Sequence, residues 1–294
     1  MQGIDDRTKD LIQKRVLKRV KEIPSLPQFV IDTLKVLDNP DSSASDVAGK
    51  LSRDEGFVIR ILRLANSAYY GFSRRITSVT EAIALLGFRA VKSIVLSASV
   101  YKFMESSFTG YALDRGQLWI HSLGVAYVSK HLAQKFGADP EEAYVAGILH
   151  DLGKIVLNDF VRFGYSIIVR LVEEDGVPFV DAERDVLGFD HAQVASMILE
   201  QWNLPESYQY VARYHHEPDA FEAEDVQMRK LVDVVHLANS ICLMLGLGLG
   251  ADGLQSNISP GALERLGVTD FEILLSESVD LISQVEEEFQ LEKV

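Results

Sequence analysis

Residues 146–157 read AGILHDLGKIVL. An apolar run ends in His150 and Asp151, side by side, and Gly153 and Lys154 follow before apolar residues resume. Polar side chains among apolar neighbours must find partners, because burying them unsatisfied is costly. Imidazole and carboxylate are also good ligands for Zn, Fe, Mn or Ni. The stretch therefore reads as a helix–turn–helix corner that carries a metal site or the relic of one.

The segments around it are helical as well. LPQFVIDTLKVLD begins with Pro27 near a first turn and ends before Asn39-Pro40. Ser43 and Asp46 form an S-x-x-D start, and Ser78 and Glu81 form a capping box that opens TEAIALLG, which Gly87 closes. Asp139 caps a helix with Pro140 at its first position and Glu141 and Glu142 in its first turn. Thr269 and Glu272 box the last helix, where Phe271, Leu274, Leu275, Ile282, Val285 and Phe289 share a face. ITSVT at 76–80 is the best β-like run, and one run makes no sheet. The fold class is all-α.

Composition bounds the rest. The chain has 294 residues, 47% apolar and 24% charged, which is ordinary for a globular protein. A single cysteine, Cys242 in SICLMLG, excludes a disulfide framework and reads as a small buried hydrophobe. The N-terminus has no apolar core, and ICLMLGLGLG is far short of the ~20 residues that span a bilayer. A cytoplasmic protein without a membrane partner is expected. A net charge of −14 repels phosphate backbones and argues against nucleic acid as a partner. The basic run RTKDLIQKRVLKRVK at 7–21 reads as the solvated face of a helix, with Leu11, Ile12, Val16, Leu17 and Val20 opposite. That helix could meet a partner or pair with its copy in a homodimer. Polar, glycine-bearing stretches at 106–116 and 246–261 divide the chain into an N-terminal helix (1–22), an N-terminal helical part (23–108), a central histidine-bearing part (109–246) and a C-terminal helical tail (247–294).

Five of the seven histidines share a pattern. His121 lies within QLWIHSLGVAYVSKHLA, His150 precedes Asp151, His191 opens HAQVASMILEQW, and His215-His216 end VARYHH before Glu217-Pro218. All fall at helix ends or on largely apolar helices. A lone histidine on an apolar face is usually a core residue with one hydrogen bond. Two adjacent pairs plus two spaced histidines strain that explanation. Two ions ~3.5–4 Å apart could clamp a phosphate ester and activate water. His131 and His236 read as isolated surface or packing residues.

The order His121, His150-Asp151, His191, His215-His216 resembles the HD superfamily of metal-dependent phosphohydrolases. More specifically, the chain is similar to the HDOD family, the HD-related output domain of bacterial signalling proteins. IPSLPQFV at 23–30, ILRLANSAYYG at 61–71, ITSVTEAIALLG at 76–87, WIHSLGVA at 119–126, AGILHDLGKIVL at 146–157, LGFDHAQVASMILEQWNLP at 187–205 and RYHHEP at 213–218 carry the likeness. It implies an HD-domain-like multi-helix bundle with an N-terminal helical subdomain. It also implies a regulatory module more than an enzyme. Within ILRLANSAYYG, Asn66 reads as a helix-end cap and Gly71 as a positive-φ turn.

The departures from the pattern matter. HD phosphohydrolases place a final aspartate ligand where VVHLANSICL has Asn239, and Asp233 is six residues too early to replace it. The dinucleotide-cleaving HD-GYP relatives carry a glutamate where Gln117 stands, and their glycine-tyrosine-proline signature is missing. Both changes replace an anion with a neutral amide. The resemblance thus implies a metal set of His121, His150, Asp151, His191, His215, His216 and Asn239, holding one divalent ion (Fe, Mn, Zn or Ni) or none. The expected function is a non-catalytic signal-transduction module that binds a signalling protein or a small ligand. The competing expectation is a metal-dependent phosphohydrolase of a nucleotide or cyclic dinucleotide. In that case Asp151 helps hold the ion and Lys154 steadies the anion. Arg74 and Arg75 are the exposed candidates for partner contact.

Overall fold

The computed structural model describes residues 6–248, 250–251 and 257–292. In chain order the helices are α1 (Asp6–Glu22), α2 (Gln28–Asp38), α3 (Ala44–Leu51), α4 (Glu55–Ala65), α5 (Val79–Met104), α6 (Gln117–Phe136), α7 (Pro140–Leu149), α8 (Lys154–Glu173), α9 (Phe179–Leu187), α10 (His191–Gln201), α11 (Glu206–Tyr214), α12 (Val226–Met244), α13 (Pro260–Leu266) and α14 (Phe271–Glu292). The described residues contain no strand; Phe108 and Leu113 form an isolated bridge. The fold is all-α. The chain divides into two compact units, residues 1–24 with 103–283 and residues 25–102 with 284–294.

In the second unit, α2, α3 and α4 follow one another closely. Ser43 and Asp46 form the full capping box of α3, and Asp54 caps α4 by accepting from Phe57 N–H at 2.8 Å. Asn66 ends α4 and then ties down the loop beyond it. Its amide donates to Leu62 O at 2.7 Å and to Ile76 O at 2.8 Å, and it accepts from Ile76 N–H at 2.7 Å. Gly71 has φ +64. The box expected at Ser78–Glu81 is half made. Ser78 Oγ accepts from Glu81 N–H, but the Glu81 carboxylate turns to Thr77 N–H and Oγ–H. Gly87, at φ +83, breaks α5 where a stop was expected. Val79–Met104 is also the one described helix long and apolar enough to cross a membrane. Ala90, Val91, Ile94, Val95, Leu96, Ala98 and Val100 on it are buried, as in a core helix.

The first unit is built around α6, α7 and α12, which are apolar on nearly every side and therefore surrounded by protein. Helix α6 packs on both α7 and α12. A Cβ on Gly147 would lie 2.7 Å from Ala126 Cα, so α6 and α7 touch backbone to backbone there. Helix α11 packs on α7 and α12, α10 packs on α11 and α8, α9 packs on α8, and α1 lies against α8, α9 and α10 through buried Ile12, Val16 and Val20. Cys242 is buried. Asp139 caps α7 as its sequence indicates. The box expected at Thr269–Glu272 is absent, and Asp270 Oδ1 accepts from Glu272 and Ile273 N–H instead. Leu274, Ile282 and Val285 are buried, whereas Phe271 and Leu275 are half-exposed; the Phe289 side chain lies outside the described residues.

Candidate metal centre

The corner between α7 and α8 creates the site. His150 ends α7, Gly153 precedes α8, and Lys154 starts it, so His150, Asp151 and Lys154 share one turn. A Cβ on Gly153 would stand 1.9 Å from His191 O and 2.7 Å from Ala195 N. Glycine at this position lets the first turn of α10 press against the corner and delivers His191 to Asp151.

Asp151 sits at the centre of the cluster. His150 Nε2 and His121 Nε2 lie 3.3 and 3.6 Å from its Oδ2. His191 Nε2 and His215 Nε2 lie 3.4 and 3.7 Å from Oδ1. Lys154 Nζ donates to Oδ2 at 2.6 Å and lies over the Tyr111 ring. All of these side chains are buried. His216 joins through a 2.9 Å contact between its Nε2 and that of His191. The structure therefore brings together His121, His150, Asp151, Lys154, His191, His215, His216 and Asn239. Arg74 and Arg75 belong to the other unit, where Arg74 pairs with Glu81 at 2.7 Å and Arg75 is exposed.

The ring orientations follow from the outer hydrogen bonds. Nδ1–H of His150 donates to Gly147 O at 2.7 Å, that of His215 to Ala212 O at 2.8 Å, and that of His121 to Leu247 O at 3.0 Å. Carbonyls only accept, so each of these rings, when neutral, carries its proton on Nδ1 and turns an Nε2 lone pair inward. His150 Nε2, His215 Nε2 and Asp151 Oδ1 make no hydrogen bond. Buried polar atoms left this way are uncommon, and three of them around Asp151 fit a nearby cation. Two overlapping groups have ligand atoms within 4.8 Å of one another: Asp151, His191, His215 and His216, and His121, His150 and Asp151. The donor types match Zn, Fe, Mn or Ni.

His121 differs from its neighbours. Asn239 Oδ1 is placed 3.0 Å from His121 Nε2. With Nδ1–H given to Leu247, Nε2 is an acceptor, and two acceptors do not bond. The Asn239 amide therefore serves the ring with its N–H₂ end. Both nitrogens of His121 are thereby used within the protein.

The charges are set by burial and by the neighbours. Burial lowers His121 to about 4, even against the pull of Asp151. Burial also holds His215 and His216 well below the usual histidine range. Burial would raise Asp151, but His150 and Lys154 hold it well below the usual carboxylate range. His191 runs the other way: burial disfavours its charged form, but Glu183 overcomes this and raises it.

Sequence reasoning missed Glu183. It lies on α9, buried, with Oε2 accepting from His191 N–H at 3.0 Å and from His191 Nδ1–H at 2.6 Å, while Oε1 accepts from Tyr111 Oη–H. A signal was present. Glu183-Arg184 precedes Asp190-His191, and the pairs match in sign: Glu183 meets His191, while Arg184 Nη2 meets Asp190 at 2.7 Å. His236, one of the two histidines read as surface or packing residues, packs inside. It is buried and bonded, with Nδ1–H donating to His215 O at 2.7 Å and Nε2 accepting from Ser259 N–H at 2.9 Å. Half-exposed His131 contacts Glu277. Asp233 is taken by Arg265 at 2.7 Å, so it does not stand in for a ligand at Asn239.

A cleft of about 110 Å³ reaches the cluster on its His191–His216 side, lined also by Phe179, Asp181, Glu217, Asn239 and Asn257.

The HDOD domain family model matches residues 23–218. The chain belongs to the HDOD family. This HDOD chain resembles an HDOD domain protein of unknown function from Geobacter sulfurreducens at 29% identity, with a TM-score of 0.75 over 97% of this chain and 99% of that one. A Shewanella amazonensis protein named as a candidate phosphohydrolase shares the fold at 24% identity, with a TM-score of 0.73 over 93% of this chain and 96% of that one. An uncharacterized curated relative from Treponema pallidum (strain Nichols) is 27% identical over 230 residues, which is 76% of this chain and 43% of that relative. The HDOD chain thus spans less than half the length of that curated relative.

Proposed function

We infer that this HDOD chain is a non-catalytic signal-transduction module whose histidine pocket holds a single divalent ion and whose surface takes a partner protein or small ligand. The observation that carries this reading is the pairing of His121 with Asn239. The resemblance implies both as ligands, yet the Asn239 amide takes up the His121 Nε2 lone pair. The open atoms are then His150 Nε2, Asp151 Oδ1 and His215 Nε2, with His191 beside them. That set supplies one carboxylate to the ion itself, and two divalent ions at close range need more negative charge than one carboxylate brings. When bound, the ion would supply positive charge and a Lewis-acid position. His150, Asp151, His191 and His215 would hold it, and Lys154 would balance the charge on Asp151 Oδ2. The cleft supports the same reading: its 110 Å³ is below the ~300–1,000 Å³ usual for larger organic ligands. Arg74, Arg75 and the basic face of α1 are the surfaces offered to a partner, including a second copy of the chain in a homodimer. A reducing, cytoplasmic setting suits the lone cysteine.

The second reading is a metal-dependent phosphohydrolase of a nucleotide or cyclic dinucleotide. Buried Lys154 beside Asp151 favours it, as does the name of the Shewanella neighbour. One experiment separates the two. Purified protein is analysed for metal, then tested for phosphate release from generic phosphoesters and cyclic dinucleotides with added Mn²⁺ or Fe²⁺. About one equivalent of ion without turnover is expected. Turnover that Asp151→Ala abolishes would establish the enzyme instead.

A further inference from the structure

We propose that Glu183 is a positioning residue for ion binding, acting on the pocket through His191. The proposal rests on the reading that the pocket holds an ion, and deepens it.

Glu183 is fully buried, and among the described residues no lysine or arginine forms an ion pair with it. Its partners are one histidine and one tyrosine. Oε2 receives two donors from the same residue, the backbone N–H of His191 at 3.0 Å and its ring Nδ1–H at 2.6 Å. Oε1 receives the hydroxyl of Tyr111, which is itself fully buried. The double contact fixes both the start of α10 and the rotation of the ring. It places Nε2 3.4 Å from Asp151 Oδ1, the same oxygen that lacks a hydrogen bond, and 2.9 Å from His216 Nε2.

The other three rings around Asp151 lean on backbone carbonyls, those of Gly147, Ala212 and Leu247. Among these four rings, His191 alone leans on a carboxylate. A carboxylate behind Nδ1 makes Nε2 a better electron donor than a carbonyl does, and losing such a partner typically weakens metal affinity 10–100-fold. A pocket with one carboxylate on the ion itself has most to gain from this outer charge. If Glu183 served only to hold the α9–α10 corner, its replacement would lower thermal stability and leave the affinity of the folded protein unchanged.

The test uses the full chain, stripped of metal and titrated with Zn²⁺ and Co²⁺ against a chromophoric chelator. Glu183→Gln keeps the shape and an acceptor oxygen but removes the charge. Its affinity is expected to fall about 10–100-fold, with altered d–d bands of bound Co²⁺. Glu183→Asp keeps the charge and retracts it by one methylene, and its affinity is expected to lie between those of wild type and Glu183→Gln. Wild-type affinity in Glu183→Gln overturns the proposal. If Glu183→Gln does not fold, wild-type affinity in Glu183→Asp overturns it. A wild-type protein that binds neither ion would instead defeat the reading on which the proposal rests.

Discussion

His236 holds the backbone of His215. Its Nδ1–H donates to His215 O at 2.7 Å, and its Nε2 accepts from Ser259 N–H at 2.9 Å. Ser259 also caps α13, and its Oγ–H donates to Asp219 at 2.6 Å. One buried imidazole therefore joins α12, the end of α11 and the segment leading to α13. Replacing it with Phe fills the space and strands a buried carbonyl and a buried N–H. Each stranded group costs about 1–3 kcal/mol. His236→Phe should lose roughly 2–5 kcal/mol in urea unfolding. A loss under 1 kcal/mol would show that the bridge does not hold.

Gly153 permits the close approach of α8 and α10, and the prediction is steric. A methyl there would meet His191 O at 1.9 Å and Ala195 N at 2.7 Å, both backbone atoms. Backbone cannot swing aside as a side chain can, so Gly153→Ala should cost about 3 kcal/mol or more. It should also move His191 away from Asp151. Gly49, in α3, is the control, because a Cβ there meets nothing within 4 Å. Gly49→Ala should stabilise by roughly 0.5–1 kcal/mol, as expected for an exposed helix position. Equal effects of the two changes on the melting temperature would remove the steric argument.

The corner motif was legible because its chemistry is local. His150, Asp151, Gly153 and Lys154 are neighbours in the chain, and the helical spacing around them is strong. The capping residues Ser43, Asp139 and Asn66 read correctly for the same reason: each acts within a few residues of itself. Glu81 and Glu272 did not, because a competing acceptor or donor one residue away, at Thr77 and at Asp270, took the bond. Glu183 and His236 were illegible for a different reason. Their partners come from other elements: Tyr111 is 72 positions from Glu183, and Ser259 is 23 from His236. A single chain shows that such residues are polar in apolar company. It does not show which loop returns to meet them.

Acid should destabilise the fold through these same histidines. Burial lowers His121 from 6.5 to about 4, and it lowers His215 and His216 as well. The unfolded chain then binds more protons than the folded one between those values, so stability rises with pH across that window. The contribution is complete above pH 6.5 and is lost as pH falls toward 4. For His121 alone it amounts to about 3 kcal/mol, at ~1.4 kcal/mol per unit. His191, whose pKa is raised, opposes this, because its share is present at low pH and is lost as pH rises. His236 is lowered too, so four histidines act in this direction against His191 alone. Urea unfolding of metal-free protein at intervals from pH 7 to 4.5 should show falling stability, with a shallower slope in His121→Gln. A flat profile would contradict the neutral buried rings.

The pairing of His121 with Asn239 predicts what restoring the missing anion does. Asn239→Asp places a carboxylate 3.0 Å from His121 Nε2, within the same buried cluster. Without an ion, that charge is poorly compensated, since burial keeps His121 neutral at pH 7. The metal-free variant should therefore be less stable than wild type by about 1–3 kcal/mol. With an ion the sign reverses. A second carboxylate at short range strengthens attraction to a divalent cation, and affinity for Mn²⁺ should rise by at least about tenfold, which is roughly 1.4 kcal/mol. The gap in melting temperature between metal-free and Mn²⁺-loaded protein should widen on both sides. Gln117→Glu, one turn before His121, tests whether charge at the second amide position acts in the same direction. If Asn239→Asp binds Mn²⁺ no more tightly than wild type, the neutral amide is not what limits the pocket.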